Sequence, residues 1–158
     1  MAARDDDLDR LLDRAAISDL LVEFARRLDA GQWDRYAETF APDGVFELPW
    51  SRRVGRQEIA AAAEGDLAAF DAVMHYSSNH AIEIDGDVAR TRSYLVGVHI
   101  PDASEPATHA DAGGWYDCEL RRTEEGWRFT NVKVTVAWRG GLALPFAPPE
   151  EEPTPHDA

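Results

Sequence analysis

Only one cysteine, Cys118, occurs in the 158 residues, so no disulfide can close within the chain and a reducing compartment is expected. Cys118 lies in the strand-like string GWYDCEL, where the expected role is a small buried apolar side chain. Positive charge is also scarce. Sixteen Lys and Arg face 30 Asp and Glu, and the formal net charge of −14 repels nucleic acid phosphates and anionic membrane surfaces. The basic strings RLLDR, RRL and SRRVGR are short and flanked by acids, so neither nucleic acid nor a membrane is expected as a partner. No apolar run approaches the roughly 18 residues of a membrane-spanning helix. The start MAARDDDLDR is acidic where a secretory leader would be basic, so a cytoplasmic protein is expected. The chain has no GxGxxG run, no P-loop and no GxSxG elbow, which argues against nucleotide use and serine-hydrolase chemistry. Its histidines fall at positions 75, 80, 99, 109 and 156 without metal-ligand spacing, so no metal and no other cofactor is expected.

Apolar residues make up 44% of the chain, enough for one core, and a single domain over residues 1–140 is expected with a Pro- and acid-rich tail over 141–158 that is partly disordered. The first part of that tail, LALPF, is apolar enough to pack on the domain. Leu8, Leu11, Leu12, Ala15, Ile17, Leu20, Leu21, Phe24 and Leu28 recur at spacings of three and four and predict one apolar stripe on a helix over 8–28. Gly31 suits its C-cap, and Trp33, Tyr36, Ala37 and Phe40 predict a second helix in AGQWDRYAETFA. A Pro42-Asp43-Gly44 turn, a short strand in VFELPW and a basic turn in SRRVGR lead to a third helix over 57–70. Then the character changes. Residues 74–84, 88–99, 113–122 and 127–138 are rich in Val, Ile, Thr, Tyr and Trp, with Asp85-Gly86 and Glu125-Gly126 between neighbours. Four strands in meander order after three helices predict an α+β domain with a mostly antiparallel sheet. The long loop 100–114 is expected to be a rim or lid over a site, or an ordinary hairpin connection.

Asp29 and His75 are the expected catalytic pair. Asp29 ends the first helix and His75 opens the first long strand, and a carboxylate that holds an imidazole in one tautomer makes a general base. If His75 faces a cavity, period-two alternation sends Ser77 and Asn79 the same way and Tyr76, Ser78 and His80 to the other face. The many aromatic residues suffice to fill a core and still line a cavity for a rigid, small, apolar ligand, expected to be cyclic. Tyr116 is the expected hydrogen-bond donor in that cavity. Trp33 and Trp50 are expected as walls near its mouth, and His109 and His156 are expected in solvent.

LDAGQWDRYAETFAPDGVFE, MHYSSNHAIEIDGDVARTRSYLVGV and GGWYDCELRRTEEGWRF, in this order, resemble the SnoaL-like branch of the nuclear transport factor 2-like superfamily over about residues 8–139. The resemblance implies a cone-shaped α+β barrel, a curved sheet wrapped around the N-terminal helices with an apolar cavity between them. Functions on this fold range from dehydratases, isomerases and cyclases to subunits of ring-hydroxylating dioxygenases and binding domains, so the fold alone leaves the function open. The likeness is greatest to lyases bearing an Asp-His dyad: scytalone dehydratase, bile-acid 7α-dehydratase and lindane dehydrochlorinase. Asp29 and His75 fall at both dyad positions, and His99 falls at about the place of a second pocket histidine. Other pocket groups of those lyases fall on about Gly114, Tyr116 and Val132, so the substrate does not carry over. The resemblance implies a cofactor-independent lyase of dehydratase type or an isomerase. A polyketide cyclase using the same dyad and a non-catalytic binding module stay open, as does a dioxygenase small subunit. A homodimer or homotrimer is implied as the assembly.

Overall fold

The computed structural model describes residues 2–149, with side chains from Asp7 onward; His156 and the acidic end of the tail lie outside the described residues. Helix α1 runs Ala2–Asp29. Its stripe is buried at Ile17, Leu21, Phe24 and Leu28, whereas Leu8, Leu11 and Leu12 are exposed, because the sheet meets only the later turns. The helix ends in a Schellman motif: Gly31 at φ 64° donates to the Leu28 carbonyl at 3.1 Å and Gln32 to that of Arg27 at 3.0 Å. Helix α2 follows as a short Trp33–Ala37 segment. It stops before Phe40, which was expected within it and instead opens strand β1, Phe40–Leu48.

The segment SRRV, expected as a turn, forms strand β2, Ser51–Val54, paired antiparallel with β1. Helix α3 spans Arg56–Leu67, and β3 (Ala72–Asp85), β4 (Val88–Ile100), β5 (Ala110–Thr123) and β6 (Gly126–Gly141) make the predicted meander. The six-stranded curved sheet has the order β2-β1-β6-β5-β4-β3; β1 runs parallel to β6 and the other pairs are antiparallel. The cone is open, with β2 and β3 as its two edges.

Burial alternates strictly along the first ten residues of β4: Ala89, Thr91, Ser93, Leu95 and Gly97 face inward while Val88, Arg90, Arg92, Tyr94 and Val96 face outward. Phe24 anchors the core, with ring centroids 4.9 Å from Tyr36 and 5.4 Å from both Tyr116 and Phe129. Helix α1 lies antiparallel along the free edge of β3. Arg14 Nη1 donates to the Ile82 carbonyl at 2.8 Å, and Ser18 Oγ meets His80 Nδ1 at 2.9 Å.

Candidate active site

The site begins with the unpaired edge of β3. Outward N–H groups of an edge strand have no ladder partner, and that of His75 donates to both oxygens of Asp29, at 3.1 and 3.0 Å. The same carboxylate meets His75 Nδ1 at 2.7 Å. Two donors of one residue therefore hold one carboxylate, which offsets the unfavourable placement of a negative charge at the carbonyl end of α1. A carboxylate beside Nδ1 fixes the proton there, so the neutral ring carries its lone pair on Nε2. The His75 side chain is 9% exposed and that of Asp29 26% exposed.

His75 lines a partly open apolar cavity of about 100 Å³. Phe24 and Leu28 from α1, Ile59, Ala63 and Leu67 from α3, and Leu95, Val134 and Val136 from the sheet are among its apolar wall residues. His99 is 3% exposed and lines the same cavity, its ring centroid 5.3 Å from that of His75 at an interplanar angle of 84°. Its Nδ1 meets the Ala110 carbonyl at 3.0 Å; a carbonyl only accepts, so Nδ1 carries the proton and Nε2 the lone pair. Burial, reinforced by neighbouring His75, lowers the His99 pKa and keeps the ring neutral. Gly97 makes room for both imidazoles: a Cβ there would lie 3.2 Å from His75 Cδ2 and from His99 Cε1.

Tyr116 also faces the cavity. Burial above all, then the nearby Cys118 and Asp29, pushes its phenol well above the ordinary range, so it remains an O–H donor. Tyr36 lies beside it, its phenol raised by burial and by Tyr116. The Cys118 thiol is pushed up to about 12 by burial, which suits a core role and not that of a nucleophile.

The structure places the remaining expected residues as follows. Trp50 lines the cavity, with the Arg139 guanidinium 4.8 Å from its ring centroid. Trp33 does not: the Schellman turn sets its indole against Gly31, in a shallow surface depression beside α3. Asn79 does not either. A β-bulge between Ser78 and Ala81 puts Asn79 at φ 56°, exposed, and the extra residue reverses the alternation. His80, expected on the outer face, consequently turns inward between Ser18 and Ser77, with Nε2 3.2 Å from Ser77 Oγ. His109 is partly buried beside Asp111, Nδ1 to Oδ1 2.8 Å. Val132 is core and lies outside the cavity.

No described residue of the 101–109 loop lines the cavity; Leu144 and Phe146 of the tail do, and the Phe146 ring lies 5.8 Å from His99. Tyr36, Arg53, Asp66 and these tail residues are cavity groups that patterning had not marked. Tyr36 was marked only as a member of the second helix, and Arg53 lay in the supposed turn. Among the described residues no group of three or more His, Cys, Asp or Glu is placed to hold a metal ion, and no helix is long and apolar enough to cross a membrane.

An open α+β cone with a six-stranded curved sheet is a fold shared with a solved NTF2-like protein of cystatin-like fold from Novosphingobium aromaticivorans, which is 23% identical with a TM-score of 0.71 over 84% of this chain and 87% of that one. The SnoaL-like domain matches residues 9–133, and the chain belongs to that family. An uncharacterised protein of Mycobacterium tuberculosis strain H37Rv is 28% identical over 118 residues, which cover 73% of this chain and 80% of that protein. A solved structure from Novosphingobium aromaticivorans, provisionally described as an aromatic ring hydroxylase, has 28% identity and a TM-score of 0.74, covering 84% of this chain and 94% of that one. The hexachlorocyclohexane dehydrochlorinase LinA has 24% identity and a TM-score of 0.76, covering 90% of this chain and 98% of its own; at that identity the likeness carries the fold alone.

Proposed function

We propose that the protein is a cofactor-independent lyase of dehydratase type, or an isomerase, in which His75 removes a C–H proton from a small apolar substrate and Asp29 orients His75. The observation that carries this reading is the double hold of Asp29 on the His75 backbone N–H and Nδ1, which leaves Nε2 as the lone-pair nitrogen of a ring that lines the cavity. In that arrangement Nε2 accepts the proton, and the imidazolium is stabilised by the carboxylate at 2.7 Å. The carbon's electron pair then moves toward an adjacent carbonyl, whose growing negative charge the Tyr116 hydroxyl can stabilise by donation. A β-hydroxyl then departs as water, taking the proton that His75 Nε2 has just accepted and leaving an alkene, or that proton returns at another carbon. Neutral His99 offers its Nε2 as an acceptor for a substrate hydroxyl. A cyclase would use the same dyad for carbon–carbon bond formation. The open cavity favours a site for a ligand over a purely structural cone.

The test is incubation of wild type, His75→Gln and Asp29→Asn with a panel of hydroxylated cyclic ketones in D₂O, followed by mass spectrometry. Loss of 18 mass units, or deuterium uptake at carbon, is expected in wild type and not in His75→Gln. Tight binding with no conversion of any bound ketone by wild type would instead identify a binding module.

A further inference from the structure

The cavity is polar at two places. One is the sheet wall with His75, His99 and Tyr116; the other is formed by β2 and α3, where Ser51, Arg53 and Asp66 interrupt an otherwise apolar lining. Strand β2 explains how an arginine comes to face a cavity. Successive side chains of a strand point to opposite faces, and along Ser51–Val54 burial alternates so that Ser51 and Arg53 are half-buried while Arg52 and Val54 are exposed.

Arg53 also differs from several arginines of the outer surface that are neutralised by an ion pair. Arg92, Arg121 and Arg122 are each held by a carboxylate. Among the described residues, Arg53 makes one side-chain hydrogen bond, from Nη1 to the Arg52 carbonyl at 3.1 Å, and no carboxylate lies within ion-pair distance. Asp66 is close enough for the Arg53 charge to act on it, yet the two do not pair, and burial raises the Asp66 carboxyl above its ordinary range. A guanidinium has five N–H donors in a planar fork that matches the two oxygens of a carboxylate. Here most of that fork remains available beside an apolar wall.

We infer that Arg53 binds a carboxylate of the substrate, so that the ligand is an apolar acid with its hydrocarbon body in the cavity and its acid group on β2. A chain of net charge −14 repels anions in general, and a cation in the cavity wall makes an acid acceptable there. The inference rests on the proposed dyad only for which end of the ligand reacts.

The experiment is isothermal titration of wild type, Arg53→Met and Arg52→Met with 2-naphthoate and with its neutral methyl ester. Wild type and Arg52→Met are expected to bind the acid about tenfold or more tightly than the ester. In Arg53→Met the preference should vanish while ester affinity stays within about twofold, since the substitution keeps the apolar stem. Equal binding of acid and ester by wild type, binding of neither, or a preference that survives in Arg53→Met would overturn the inference. No turnover is read, so this failure is separable from failure of the dyad, which the His75→Gln conversion assay reports.

Discussion

At the scale of single residues, the proposed chemistry rests on the Asp29 and His75 pair. Asp29→Asn keeps the shape but changes the bonding. Its amide oxygen can still accept from the His75 backbone N–H, whereas its NH₂ placed against Nδ1 would force the ring proton onto Nε2. Turnover should fall by about 10²–10⁴, with the fold retained, which kcat and circular dichroism together would check. His99 makes a different kind of prediction. Burial holds its folded pKa below the ordinary imidazole value of about 6.5, so above that value both folded and unfolded states are neutral there and His99 contributes no pH dependence. As pH falls below it, the unfolded chain takes up a proton that the folded protein refuses, and stability is lost until the folded pKa is passed. The loss in urea-unfolding free energy between pH 8 and pH 5 should therefore be smaller in His99→Gln than in wild type. The positions of Asp29 and His75 were legible in the sequence because one ends a periodic stripe and the other opens an alternating run. Asn79 and His80 were misread because one bulge residue exchanges the two faces of β3, and a left-handed Asn leaves no periodic mark.

Elements explain why that pair meets. Between Arg14 and Asp29 the helix rises about 22 Å at 1.5 Å per residue, and between Ile82 and His75 the strand covers about 23 Å at 3.3 Å per residue. With Arg14 bonded to Ile82 at one end, antiparallel docking brings Asp29 to His75 at the other. The termination of α1 is thus part of the site. Gly31→Ala puts a Cβ at φ 64° and should cost about 1–2 kcal/mol in denaturant unfolding, with a smaller loss if the turn relaxes. The four long strands were readable from β-rich runs separated by Asp-Gly and Glu-Gly turns. Strand β2 was not: four residues, two of them arginine, carry the composition of a turn, and pairing with β1 decides their state. Arg53 was missed with it.

For the molecule as a whole, the sheet's outer face is the conspicuous uncovered apolar surface. Met74, Tyr76, Tyr94, Val96 and Trp138 are 37–57% exposed there, and β-pairing sets Tyr76 opposite Val96 and Ser78 opposite Tyr94. We propose that a second or third copy covers this face, since an apolar patch of this kind marks an interaction surface. Sedimentation velocity should find a dimer or trimer of wild type and a monomer for the Tyr76→Glu/Tyr94→Glu double variant; a monomeric wild type would contradict the assembly. The open cone and its apolar cavity followed from the order of elements and the family resemblance. The closing of that cavity by Leu144 and Phe146, where the 100–114 loop was a candidate rim, did not, because a short apolar string in a proline-rich tail gives no sign of where it docks.

The most direct test of the proposed base needs no substrate. Nitrogen-15 NMR of the His75 ring at pH 8 reports which ring nitrogen carries the proton. Protonated Nδ1 with an unprotonated Nε2 in wild type, shifting to protonated Nε2 in Asp29→Asn, is the expected result. A wild-type ring with its proton on Nε2 would leave no lone pair there to accept a substrate proton, and would contradict the proposed role of His75.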